Sequence, residues 1–199
     1  MTTVIDATSG MTFEEFLRLD GHYEYVNGKA IEMSPISEEH SDISCFVGAL
    51  LRLFTEQGGG GRVLGHPYVM RPVAGETGRA PDVMFVSSEH LDRIKPTHLE
   101  GPADLVVEVV SPESRVRDRG DKFYEYEQAG VREYWIIDSD HKRAEFYRLG
   151  SDGAYEPAPR AADGRYESAI TRGSGSASDG SGTARPSSRS CANGGSLPE

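Results

Sequence analysis

The chain has 199 residues, a formal net charge of −11 and two cysteines. That length suits one domain with a sizeable core, and the charge excludes a protein that grips nucleic acid through its whole surface. No apolar run approaches the roughly 18 residues of a membrane helix, and "MTTVIDATSG" lacks the basic start and apolar stretch of a signal peptide. Cys45 and Cys191 lack metal-type spacing and the histidines form no H-x-H or H-E-x-x-H pair, so a reduced, cytoplasmic setting without membrane or zinc is expected.

"MTFEEFLRL" starts a helix, because Thr12 and Glu15 have capping-box spacing and Phe13, Phe16 and Leu17 form one stripe. In "YEYVNGKAIEM", Asn27-Gly28 between two short strand-like runs predicts a hairpin. Residues 38–57 carry Ile43, Phe46, Val47, Leu50 and Phe54 at helical spacing, and the run Gly58–Gly61 stops them. "RVLGH" and "YVMRPV" read as a strand pair or one bent strand. Pro81–Val86 is a strand opened by proline, and Ala103–Val110, "ADLVVEVV", is apolar enough for a central strand covered on both faces. A polar-faced helix from Asp118 to Ala129 stops at Gly130. "REYWIID" and "RAEFYRL" then form a hairpin across "SDHK". The expected fold is α/β: a mixed sheet flanked by helices, with an N-terminal helix and β-hairpin, in one domain over residues 10–170. Residues 171–199 are rich in Gly and Ser, cannot bury enough apolar surface to offset ordering, and are expected to be disordered.

One residue in the central strand needs a reason. Glu108 sits in "DLVVEVVSPES", and a buried carboxylate is costly without a partner. Alternation puts Val106, Glu108 and Val110 on one face and Leu105, Val107 and Val109 on the other. Asp82 opens the preceding strand, and carboxylates on neighbouring strands, roughly 4.8 Å apart, can share a hard cation such as Mg²⁺. Lys122 lies on the helix that follows.

"APDVMFV", "DLVVEVVSPES", "RDRGDKFYEYEQAGVREYWIID" and the earlier "YEYVNGKAIEMSP", followed by His40, resemble the Uma-two family of restriction-endonuclease-like proteins within the PD-(D/E)XK nuclease superfamily. The resemblance implies a restriction-endonuclease-like fold and a Mg²⁺- or Mn²⁺-dependent endonuclease acting on DNA, with homodimers common in this fold. It implies Asp82, Glu108 and the backbone carbonyl of Val109 as metal ligands, with Glu32 as a weaker acidic candidate. The superfamily's lysine should stand two residues after the glutamate, where this chain has Val110. The resemblance moves that role to Lys122. His40 matches a family histidine, with no role that follows from the residues. Family members continue past the last hairpin with an apolar segment. G/C-rich codons read in a shifted frame would restore one here, so a frameshift near residue 171 is expected.

Each residue also has a plainer reading. Asp82 can accept a turn hydrogen bond, Glu108 can pair with an arginine, and Asp118 and Lys122 have the spacing of a surface ion pair. Glu32 can be a solvated strand-end residue. Arg115, Arg117 and Arg119 form the dense basic cluster, either a phosphate-facing rim or a solvated turn. Gln128 is a minor candidate for phosphate binding. Against the endonuclease stands a second function: a catalytically inactive nucleic-acid-binding or regulatory protein on the same scaffold.

Overall fold

The computed structural model describes residues 4–5, 10–73, 77–111 and 114–170. The tail for which disorder and a frameshift are expected lies outside them. In chain order the elements are β1 (Val4–Ile5), α1 (Phe13–Phe16), β2 (Tyr23–Val26), β3 (Lys29–Glu32), α2 (Glu38–Phe54), β4 (Arg62–Gly65), β5 (Val69–Arg71) and β6 (Thr77–Gly78). Then come β7 (Val83–Val86), β8 (His98–Glu100), β9 (Leu105–Val110), α3 (Arg115–Arg119), α4 (Asp121–Ala129), β10 (Glu133–Asp138), β11 (Arg143–Leu149) and β12 (Tyr155–Pro157).

The main sheet runs β12-β11-β10-β9-β7-β4. β9 and β10 are parallel and the other neighbours antiparallel, so the sheet is mixed. A parallel pair needs a crossover, and α3 and α4 supply it. All six residues of β9 are buried, as expected of a central strand. Val106 and Val110 join Met84, Tyr126, Tyr134 and Ile136 on the α4 face. Leu105 and Val107 join Val83, Phe85 and Trp135 on the opposite face, under Val47 and Leu51 of α2. A second sheet, β1-β3-β2-β6, closes over a smaller core of Phe13, Phe16, Tyr25 and Ala30.

Local chemistry sets the boundaries. The Thr12–Glu15 capping box forms, and Ser37 caps α2 by accepting from His40 N at 3.2 Å. Asn27 and Gly28 have φ of 49° and 79°, the paired positive values of a tight hairpin turn. After α2 the chain turns back through Gly61, at φ +84°, where an added Cβ would lie 2.4 Å from the Val86 carbonyl oxygen. Gly61→Ala is therefore expected to cost roughly 2–4 kcal/mol, from backbone strain and overpacking together. A urea midpoint within error of wild type would contradict this.

Two expectations need correction. β4 and β5 are neither a pair nor one strand: β4 pairs with β7, and β5 runs parallel to β8 in a separate two-stranded sheet. The helix expected over residues 118–129 is two helices, α3 and α4, broken at Gly120 with φ −116° and ψ −94°. A Cβ at Gly120 would sit 2.7 Å from the Val116 carbonyl oxygen, so the close turn requires glycine.

Candidate active site

The C-terminal end of β9 opens into a cavity of about 800 Å³ whose lining includes Asp82, Glu108, Val109, Lys122, Asp118 and His40. Alternation turns Glu108 toward the α4 face, and the break at Gly120 sets Lys122 in the first turn of α4, 1% exposed. Lys122 Nζ lies 3.0 Å from Glu108 Oε1, 3.1 Å from Glu24 Oε1 and 3.3 Å from Asp118 Oδ1. The Asp118–Lys122 spacing thus forms its ion pair in the interior rather than on the surface. Tyr126, one helical turn beyond Lys122, donates its hydroxyl to Glu108 Oε1 at 2.8 Å. Among the described residues, no hydrogen bond reaches Glu108 Oε2.

Asp82 stands at the head of β7. Its Oδ1 is 2.8 Å from His40 Nε2, and its Oδ2 accepts from the Val109 N–H at 2.7 Å. Extending the β7–β9 register places Pro81 across from Val109. Proline has no N–H, so it gives no ladder bond to the Val109 carbonyl.

Glu24 is the residue that sequence reasoning missed. It is fully buried on β2 and is also held by Arg79, whose Nη1 donates to Glu24 Oε2 at 2.9 Å. Arg79 in turn donates to both oxygens of Glu125, at 2.7 and 2.6 Å. Glu32, the acidic candidate on the next strand, lines the cavity as an exposed residue, and Lys122 forms its ion pairs with Glu24, Glu108 and Asp118 instead. The basic cluster also divides. Arg115 and Arg119 both pair with Asp138, and Arg119 also pairs with Glu145, so neither forms a free rim. Arg117 alone of the three lines the cavity, with its Nε buried and unbonded. Gln128 does not line it.

These contacts set the charges. Burial raises the Glu24 carboxyl, but Lys122, Arg79 and Arg117 outweigh it and bring it down to about 2. Burial pushes Glu108 up to about 8; Lys122 opposes the shift, while Asp118, Asp82 and Glu24 add to it. Burial lowers the Lys122 ammonium, but Glu108, Glu24 and Asp118 overcompensate and hold it protonated. A depressed carboxylate stabilises the fold above its unfolded value and loses that contribution as pH falls. Glu24 therefore adds on the order of 3 kcal/mol above about pH 4.5, lost toward about pH 2. The stability gap between wild type and Glu24→Gln should shrink over that window in urea titrations, and a constant gap would overturn the assignment.

The family model Uma2, described as "Putative restriction endonuclease", matches residues 13–170. The chain belongs to the Uma2 family. No curated protein matches it. Among solved structures, the Uma2 chain is similar to the crystal structure of a "putative nuclease belonging to DUF820" from Anabaena variabilis, with 19% identity and a TM-score of 0.60. The match covers 74% of this chain and 84% of that one, and shows a shared fold. The mixed sheet flanked by helices is thus the architecture expected. No helix among the described residues is long and apolar enough to cross a membrane.

Proposed function

We propose that this protein is a metal-dependent endonuclease that hydrolyses phosphodiester bonds in DNA. The observation that carries the reading is the buried Glu108–Lys122–Glu24 cluster, whose Glu108 and Lys122 line one cavity with Asp82 in a chain of the Uma2 family.

The donor set fits Mg²⁺ or Mn²⁺. Among the described residues, no group of three or more His, Cys, Asp or Glu is arranged to hold a metal. Mg²⁺, however, is commonly held by one or two carboxylates, with water and phosphate completing its shell. Asp82, Glu108 through Oε2, and the Val109 carbonyl would hold it. Four carboxylates converge here, and Glu108 is pushed up to about 8, so the cavity is short of positive charge. The ion supplies Lewis acidity toward a phosphodiester. The chain's own groups do the rest. His40 and the Val109 N–H fix Asp82, and Tyr126 and Lys122 fix Glu108. Lys122, held protonated, acts as a fixed cation beside the reacting phosphate rather than as a base.

The inactive scaffold remains the second reading, favoured by the mouth of the cavity. Glu32, Glu38, Glu39 and Asp140 line it and oppose an approaching polyanion. Supercoiled plasmid incubated with Mg²⁺ or Mn²⁺ separates the two. Nicking is expected with wild type, and none with Asp82→Asn or in EDTA. Nicking that survives Asp82→Asn removes Asp82 from the site. Absence of nicking with either metal gives the ground to the second reading.

A further inference from the structure

A second cavity, of about 390 Å³, is lined by Arg148, Arg160, Arg165 and Glu167 and shares no lining residue with the first. It lies beside the part of the core where Trp135, Phe146 and Tyr166 pack, on the α2 side of the sheet. Three arginines and one carboxylate residue, Glu167, line it, so the cavity is locally cationic in an acidic chain.

Two of the guanidinium groups are mounted on a fixed frame. Phe146 and Tyr166 stack at 4.1 Å with an interplanar angle of 9°. Arg160 lies over the Phe146 ring and Arg148 over the Tyr166 ring, each at 5.4 Å from the centroid. Across a tight turn, Ala161 N donates to Arg165 O at 2.8 Å and Gly164 N to Ala161 O at 2.8 Å, which brings Arg165 beside Arg160. Underneath, Glu133 accepts from Trp135 Nε1, the Tyr166 hydroxyl, Ala169 N and Ile170 N. Its charge is thus largely spent on the floor.

Most of the arginine donors remain unspent. Arg160 donates to the Ala144 carbonyl and has no carboxylate partner among the described residues. Arg148 donates to the Glu167 carbonyl, and its Nε, 3.5 Å from Glu133 Oε1, is buried without a hydrogen bond. Arg165 pairs with Asp163 at 2.6 Å in an exposed contact, worth little. Each guanidinium carries a fork of N–H donors, and the contacts of Arg160 and Arg165 use one donor of each. Two forks held over rings, with Arg165 at the exposed edge of the same cavity, match an anion with several acceptor oxygens.

The geometry points to a phosphate-binding site formed by Arg148, Arg160 and Arg165, separate from the candidate active site. It does not rest on the nuclease reading. The ligand chemistry is the phosphoryl group, whether free or in a nucleic-acid backbone.

The sole tryptophan, Trp135, has its ring 5.6 Å from that of Tyr166 and so reports on the frame. The full chain is titrated in EDTA, at constant ionic strength, with sodium phosphate, sodium pyrophosphate and a single-stranded thymidine oligonucleotide. Trp135 fluorescence and calorimetry give the readout. Saturable binding is expected, weakened at least tenfold in Arg160→Ala and in Arg165→Ala. Both positions are exposed, and circular dichroism checks that each variant folds. Arg160→Lys should fall between wild type and Arg160→Ala, because it keeps the charge but loses the fork. If nucleic acid is the source, the oligonucleotide binds more tightly than pyrophosphate, and each arginine removed lowers the salt slope by about one. If the source is free phosphate, the inorganic anions saturate the site and the oligonucleotide signal ignores the substitutions. A change reproduced by sodium chloride, or anion affinities unaltered in both alanine variants, overturns the site.

Discussion

Lys122→Met is expected to cost roughly 3–5 kcal/mol, because it leaves Glu24, Glu108 and Asp118 buried without their shared cation. The variant can relieve this only by binding protons. Carboxyl groups whose folded values are raised stabilise the fold at low pH and lose that contribution as pH rises through those values. The penalty should therefore be larger at about pH 8 than at about pH 5, with the urea midpoint moving accordingly. Nuclease activity should vanish in the same variant at any pH where it folds. A midpoint unchanged at pH 8 would sink the idea that Lys122 neutralises the cluster.

Glu108→Gln separates stability from chemistry. Burial holds the Glu108 carboxyl well above the usual carboxylate range, so losing its charge costs the fold little, and glutamine keeps its shape. The amide oxygen still accepts from Tyr126 and Lys122, so stability should change by less than about 1 kcal/mol. The anionic oxygen that the proposed site would offer to a divalent cation is gone. Calorimetric Mn²⁺ affinity should fall at least about a hundredfold and cleavage roughly a thousandfold, the scale of several kcal/mol. Glu108→Ala is a poorer probe, because it orphans both the Tyr126 hydroxyl and Lys122 Nζ. Retained Mn²⁺ binding in Glu108→Gln would remove this residue from the ligand set.

What the sequence made legible is what local rules govern. The valine alternation of β9, the positive φ of Asn27-Gly28 and the Thr12 capping box each follow from a few adjacent residues, and each forms. Glu108 and Lys122 could be brought together because one strand-to-helix connection separates them. Glu24 could not. It stands between two tyrosines on a short hairpin strand, where alternation alone suggests a solvated face. Its burial depends on the second sheet folding over Lys122, a contact that no spacing rule encodes. Arg115 and Arg119 were opaque for the same reason. Their partners, Asp138 and Glu145, lie beyond a whole helix and strand. The break at Gly120 was hidden because helical periodicity continues on both sides of it.

The chain Arg79–Glu24–Lys122–Glu108 runs from the hairpin sheet into the main sheet, so the groups assigned to chemistry also fasten two parts of the fold. Buried ion clusters are commonly no more stabilising than well-packed apolar side chains of similar volume. Repacking the whole network, with Asp118, Glu125 and Tyr126 included so that no buried polar group is orphaned, would therefore yield a protein as durable as the natural one, or more so, without the groups proposed for catalysis. A screen of variants by heat tolerance alone would favour those proteins, so directed evolution for robustness here would select against activity unless cleavage were assayed in every round.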